Sequence, residues 1–198
     1  MPQTQSPLPL LLETIRIEDG QIQNLSYHQA RCDQSRQILF HSTERLDLFS
    51  LIDPPKTGLY RCRILYEKSL HSIEYIPYTP KAIASLRIVS SDIDYSLKYA
   101  DRTSLDALLL ANKDVDEVII EKDGYLTDTT IANIAFYDGR QWITPTVPLL
   151  KGTMRAKLIE EGFLKTKNIR REDLEKYTQV ALMNAMIGFK IINPITIM

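Results

Sequence analysis

The chain has 198 residues, 44% of them hydrophobic and 25% charged, and a formal net charge of -1. That balance suits a globular chain with one large core or two small ones. It excludes the strong basic field that draws a protein to nucleic acid or an anionic membrane. No apolar run approaches the roughly 20 residues that span a bilayer. The apolar stretch near the start, at Leu8 and Leu10 to Leu12, lacks a basic flank and a small-residue cleavage site. The expectation is therefore a cytoplasmic protein without membrane or nucleic-acid partners.

Leu10 to Ile17 is apolar and strand-like, and Glu18-Asp19-Gly20 is a turn signal leading to a short returning strand over Gln21 to Leu25. Ser26 reads as the N-cap of a helix over Tyr27 to Phe40. Asp53-Pro54-Pro55-Lys56-Thr57-Gly58 breaks the chain. Leu59 to Tyr66 and Leu70 to Tyr78 form a second hairpin about Glu67-Lys68-Ser69. Proline and polar residues near Tyr78 to Ala82 read as a linker between two lobes, 1–82 and 83–198.

The second lobe opens with a strand over Ile83 to Val89. Leu105, Leu108 and Leu109 give helical spacing within Arg102 to Asn112. Val115 to Glu121 is a strand, and Lys122-Asp123-Gly124 is a turn. Asp138-Gly139 joins strands over Ile131 to Tyr137 and Gln141 to Thr144. Thr153 to Glu161 and Arg171 to Lys176 are helices, and Val180 to Met183 and Phe189 to Ile192 are closing strands. The pattern is mixed α/β (α+β) and lacks the repeated βαβ order of a doubly wound fold. Cys32 and Cys62 form no CxxC pair and read as reduced packing thiols. His28, His41 and His71 share no ligand spacing, so no metal site is expected.

Three segments carry candidate chemistry. Lys98 lies in Tyr95-Ser96-Leu97-Lys98-Tyr99-Ala100-Asp101-Arg102, Asp128 in Thr127-Asp128-Thr129-Thr130-Ile131-Ala132-Asn133, and Thr144-Pro145 precedes Leu150-Lys151-Gly152-Thr153-Met154-Arg155. An amine, an acid and a helix start with free N–H groups are what hold pyridoxal phosphate: the amine bonds the cofactor, the acid keeps its ring nitrogen protonated, and the amides take the phosphate. Each residue also has a plainer reading. Lys98 suits a solvated surface amine, and Asp128 suits a turn aspartate capping its own backbone.

In order and wording these segments resemble the class IV aminotransferase family, the fold type IV pyridoxal phosphate enzymes. The resemblance runs from Leu12-Glu13-Thr14 to Pro194 and implies a small N-terminal α/β sandwich and a C-terminal β-barrel-like lobe with helices. It also implies a homodimer acting on a small amino substrate with pyridoxal 5′-phosphate. Lys98 would be the catalytic lysine, and Asp128 would replace the family's usual glutamate. Arg31, Thr153, Met154 and Ala185 would join Lys98 and Asp128 in holding the cofactor. Arg31 belongs to a His-x-x-Arg frame with His28, where a guanidinium grips phosphate bidentately; a surface helix arginine is the other reading. Asn184-Ala185-Met186 resembles the loop of the lyase branch, typified by 4-amino-4-deoxychorismate lyase, where transaminases of branched-chain or D-amino acids show Gly-Thr. A plain strand-end turn explains it equally.

Arg63 falls where relatives place an arginine near the substrate carboxylate. A solvated face shared with Arg61 explains it as well. Tyr66, Tyr75 and Tyr78 read as packing residues rather than pocket walls. Relatives also carry a longer segment before the first strand than Met1 to Leu11. That difference and the shorter acid at Asp128 motivate a third reading, a scaffold that binds cofactor or a partner without turnover.

Overall fold

In the computed structural model, which describes residues 9–193 and 196–198, Leu11–Glu18 forms strand β1. Its alternate residues Leu11, Glu13, Ile15 and Ile17 share one face and are fully buried. Asp19 and Gly20, both at positive φ (48° and 79°), turn the chain tightly into β2, Gln21–Ile22. β3 (Leu59–Tyr66) and β4 (Leu70–Pro77) complete a four-stranded antiparallel sheet in the order β2-β1-β3-β4. Helix α1, Leu25–Phe40, covers its buried face, where Cys32 and Phe40 pack with Ile15, Cys62 and Ile64. The one-turn helix α2, Leu48–Leu51, adds Leu48 to that core.

The helix start differs from the sequence expectation. α1 begins at Leu25, and its N-cap is Asn24 in the left-handed region (φ 53°), without a side-chain cap bond. Asparagine tolerates that conformation better than most residues. The positive φ reverses the chain out of β2 before Ser26 is reached. Of the apolar stretch noted near the start, the part up to Leu8 lies outside the described residues, as does Pro194.

The remaining strands form a nine-stranded sheet. β5 (Ser85–Ser90) and β6 (Glu117–Lys122) pair in parallel across helix α3 (Thr103–Leu110). β7 (Tyr125–Thr129), β8 (Asn133–Tyr137) and β9 (Trp142–Pro145) follow antiparallel. Helix α4 (Thr153–Glu160) leads to β10 (Leu164–Lys167), which pairs in parallel with β9. A 3-10 turn at Arg171–Lys176 precedes β11 (Gln179–Asn184) and β12 (Gly188–Ile192), and β13 (Thr196–Ile197) joins β5. β11 pairs with β8 along Asn133 to Tyr137. β8 meets β7 at Asn133 and β9 only at Phe136 and Tyr137.

Both faces of this sheet are covered, which is why Glu117–Ile120 is buried at every position. Ile119, Ile134, Phe136 and Leu182 lie in one cluster. Val118 and Ile120 lie in another with Leu105 of α3. The fold is mixed α/β, as the sequence pattern implied. β7 and β10 were not legible as strands: β7 is Tyr-Leu-Thr-Asp-Thr and β10 is Leu-Lys-Thr-Lys, too polar to show apolar alternation.

The two sheets are stitched together beside β1. Leu12 N–H donates to Lys98 O (2.9 Å) and Ala100 N–H to Leu10 O (2.8 Å), with an antiparallel bridge between Leu11 and Tyr99. Both cysteines are free and buried, and burial pushes each thiol up to about 12. Among the described residues no helix is long and apolar enough to cross a membrane.

Candidate active site

A cleft partly open to solvent lies between the sheets, and its wall includes Arg31, Lys98, Asp128, Thr153 and Ala185. The stitching to β1 fixes the backbone of Lys98 and directs its side chain into this cleft. Among the described residues the Lys98 ammonium makes no hydrogen bond. Burial, reinforced by the charges of Arg31 and Arg102 and partly opposed by Glu13, lowers its pKa to about 7. An amine poised this way is a nucleophile and a proton carrier near neutral pH.

Asp128 lies within the buried stretch of β7. Its Oδ1 accepts from Asn133 Nδ2 (2.7 Å) and its Oδ2 from the Leu150 N–H (2.8 Å). Burial still pushes its carboxyl up to about 7, against the pull of these bonds. Asn133 Nδ2 also donates to Leu150 O (2.8 Å), so one amide ties the acid to the loop that enters α4. Arg155 lies behind, donating to Pro145 O (2.8 Å), and its buried Nε has no partner among the described residues.

The loop delivers Gly152 as N-cap of α4, and no side chain caps the helix start. The first intrahelical bond runs from Ala156 N–H to Gly152 O, which leaves the N–H groups of Thr153, Met154 and Arg155 outside the helical ladder. Thr153 lines the cleft. The Met154 side chain does not; it packs toward Ala135, Trp142 and Met183.

Arg31 is fixed by Glu13: its Nε donates to Oε1 (2.8 Å) and its Nη2 to Oε2 (2.5 Å). The bidentate fork suggested for an anion is thus engaged within the protein, and Nη1 makes no hydrogen bond among the described residues. Burial raises the Glu13 carboxyl, but the charges and hydrogen bonds of Arg31 and His28 outweigh it and hold the pKa at about 2. His28 completes the cluster, with Nδ1 2.6 Å from Glu13 Oε2 and Nε2 3.4 Å from Thr153 Oγ1. Sequence reasoning did not assign site roles to Glu13 or His28. The available signals were a glutamate on the apolar face of a strand and a histidine one helical turn before Arg31.

Ala185 is presented by a turn that Asn184 organises. Asn184 Oδ1 accepts from Met186 N–H (2.8 Å) and Ile187 N–H (2.9 Å), and its Nδ2 donates to Ile131 O (3.1 Å). Arg16 Nη1 reaches the same turn at Met186 O (2.5 Å). Arg63 is not brought to the cleft wall. It pairs with Glu74 (3.0 Å) on the open face of the first sheet, while its cross-strand neighbour Thr14 does line the cleft. Arg102, by contrast, lines the cleft and donates to Thr130 O (3.0 Å).

These groups fit pyridoxal phosphate by chemistry: a free amine of lowered pKa, a buried carboxyl, and a helix start with unused N–H donors beside a guanidinium, all on one cleft. The comparisons agree. The family model for amino-transferase class IV matches residues 67–195. An uncharacterized protein of Haemophilus influenzae is 39% identical over 184 residues, covering 90% of this chain and 98% of that protein. A crystal structure from Haemophilus somnus, described as a candidate 4-amino-4-deoxychorismate lyase, is 40% identical with a TM-score of 0.82, covering 93% of this chain and 100% of that one. The pyridoxal phosphate-bound form of a hypothetical aminotransferase from Mycobacterium tuberculosis shares the fold at 17% identity, with a TM-score of 0.77 and coverage of 96% and 81%. The chain belongs to the class IV aminotransferases, enzymes whose cofactor is pyridoxal 5′-phosphate.

Proposed function

We propose that this enzyme is a lyase acting on 4-amino-4-deoxychorismate, releasing pyruvate and leaving 4-aminobenzoate. The carrying observation is that Lys98, the buried Asp128 and Thr153 at the start of α4 line one cleft. Support for the lyase branch comes from the candidate lyase at 40% identity over its whole chain. The Asn184-Ala185-Met186 turn on the cleft wall points the same way.

The bound cofactor supplies an electron sink for charge developing at the substrate carbon. Lys98 would hold it through Nζ and, as a free amine, would carry a proton at that carbon and on to the leaving group. Asp128 would keep a proton at the ring nitrogen. The amides of Thr153 and Met154, with Nη1 of Arg31, would take the phosphate. Ala185 would sit beside the bound group, and Arg102, on the same cleft wall, is the cation offered for a substrate carboxylate.

Product assay decides between branches. Purified protein with pyridoxal phosphate should form 4-aminobenzoate and pyruvate from aminodeoxychorismate. Exchange of amino groups between amino acid and 2-oxo acid pairs, without those products, would replace the lyase reading by a transaminase. We further propose a cytoplasmic homodimer, supported by family membership and by the small core available to each half of the chain. Sedimentation at micromolar concentration tests the dimer.

A further inference from the structure

His28 is a buried titratable group that the mechanism above leaves unused. It is fully buried, between Glu13 (2.6 Å from Nδ1) and the hydroxyl of Thr153 (3.4 Å from Nε2). The Glu13 carboxylate only accepts, so the Nδ1 nitrogen carries the imidazole proton. The charged groups facing His28 are Glu13 from β1, Arg31 from the next turn of α1, and Lys98 from the segment stitched to β1. Burial, opposed by Glu13 and reinforced by Arg31 and Lys98, lowers its pKa and keeps the ring neutral at pH 7.

A neutral ring with its proton on Nδ1 has a bare Nε2, which can only accept. The Thr153 hydroxyl therefore donates to His28 and turns lone pairs toward the cleft. That polarity is wrong for an anion at the first turn of α4. If Thr153 simply rotated to donate to the anion, a buried Nε2 would be left without a partner.

We propose that His28 is a positioning residue of the anion cup, taking one proton from solvent onto Nε2 when an anion seats at the start of α4, so that Thr153 turns its own O–H to the anion. The chain then runs from Glu13 carboxylate to Nδ1–H, and from Nε2–H to Oγ1–H to the anion, with every donor facing an acceptor. The new charge lies between two negative groups. One proton leaves the water, no other group changes, and no bond between heavy atoms forms or breaks. The inference rests on the anion site read above at the start of α4.

The test is imidazole ¹⁵N NMR of the full chain, titrated with sulfate and with pyridoxine 5′-phosphate. Sulfate has no proton to exchange near neutral pH, and pyridoxine 5′-phosphate lacks the aldehyde that bonds lysine. The chain has three histidines, and the other two, His41 and His71, are exposed and serve as internal references. Lys98 and Asp128 titrate near neutrality as well, so a bulk proton count would mix them with His28; the ring nitrogens report His28 alone. Free protein at neutral pH should show neutral His28 protonated on Nδ1, and the saturated protein an imidazolium. Sulfate affinity should fall about tenfold per pH unit between the free-state and the bound-state pKa of His28. Thr153→Val should leave His28 neutral with ligand bound, and Thr153→Ser should restore protonation. Ligand bound beside a neutral His28, or a Thr153→Val protein that protonates like wild type, overturns the proposal alone. Failure of either ligand to bind overturns the anion cup, and the proposal with it.

Discussion

Gly152 and Asn133 touch so closely that a Cβ on the glycine would stand 1.9 Å from the amide oxygen of the asparagine. The glycine is required by space, not by conformation, because its φ of -70° and ψ of 145° suit any residue. Asn133 in turn holds both Asp128 and the Leu150 carbonyl. One contact thus couples the acid of the cleft to the helix that would take the phosphate.

Gly152→Ala should therefore destabilise the protein by about 1–3 kcal/mol, the usual cost of overpacking. Thermal unfolding should show a Tm lower by several degrees, with weaker cofactor retention. Asn133→Gly should relieve the clash, so the double variant should be less destabilised than the two single effects predict together. Strict additivity would show that the two residues do not act through this contact.

Lys98→Ala removes an amine that serves as both nucleophile and proton carrier. Turnover should fall by more than about 10⁴-fold, with cofactor no longer held covalently. Borohydride reduction of wild-type holoenzyme followed by peptide mapping should place the adduct on Lys98. An adduct on another lysine would transfer the role.

Glu13 has a folded-state pKa of about 2 against an ordinary 4.5. A depressed acid contributes stability that is present above the unfolded value and lost as pH falls through the folded one. Wild-type stability should thus decline between about pH 4.5 and pH 2, and Glu13→Gln should remove that part of the slope. At neutral pH the same variant leaves the part-buried Arg31 without its carboxylate, which costs up to about 3 kcal/mol. Denaturant titrations across pH measure both. A Glu13→Gln protein as stable as wild type at pH 7 would contradict the buried pair.

Asp128 behaves in the opposite sense, because burial raises its carboxyl from 3.8 to about 7. The folded state then binds the proton more tightly than the unfolded chain, so its contribution to stability falls as pH rises from about 4 to about 7. Asp128→Asn should flatten that segment. It should also set an amide N–H₂ against one of the donors from Asn133 and Leu150, loosening the loop before α4. Turnover should drop by orders of magnitude while the folded chain persists. A variant turning over near the wild-type rate would leave Asp128 a structural anchor only.

Much of this molecule follows from local pattern. Alternation in Leu11–Glu18, the Asp138-Gly139 turn and the leucines of Arg102 to Asn112 report their elements directly, because backbone period and turn chemistry act over a few residues. Lys98, Asp128 and the Gly152-Thr153 helix start were legible as candidates because each carries its chemistry in its own side chain or local backbone. Glu13, by contrast, was given no role from the sequence, although a carboxylate on the buried strand face where the structure places it cannot stay unpaired.

Which partner it finds was decided only by the tertiary structure. Glu13 lies 15 residues from His28 and 18 from Arg31, and His28 lies 125 from Thr153. No local period relates such positions. They meet because α1 packs over the first sheet while α4, which belongs to the second, reaches across to it. The same long-range packing engages the Arg31 fork on Glu13 and leaves Arg63 on an open sheet face with Glu74. It also lets a polar segment such as Leu164–Lys167 become a strand by pairing with Trp142–Pro145. Hydrogen bonding to a neighbouring strand can be made by any backbone, so its side chains carry no record of it.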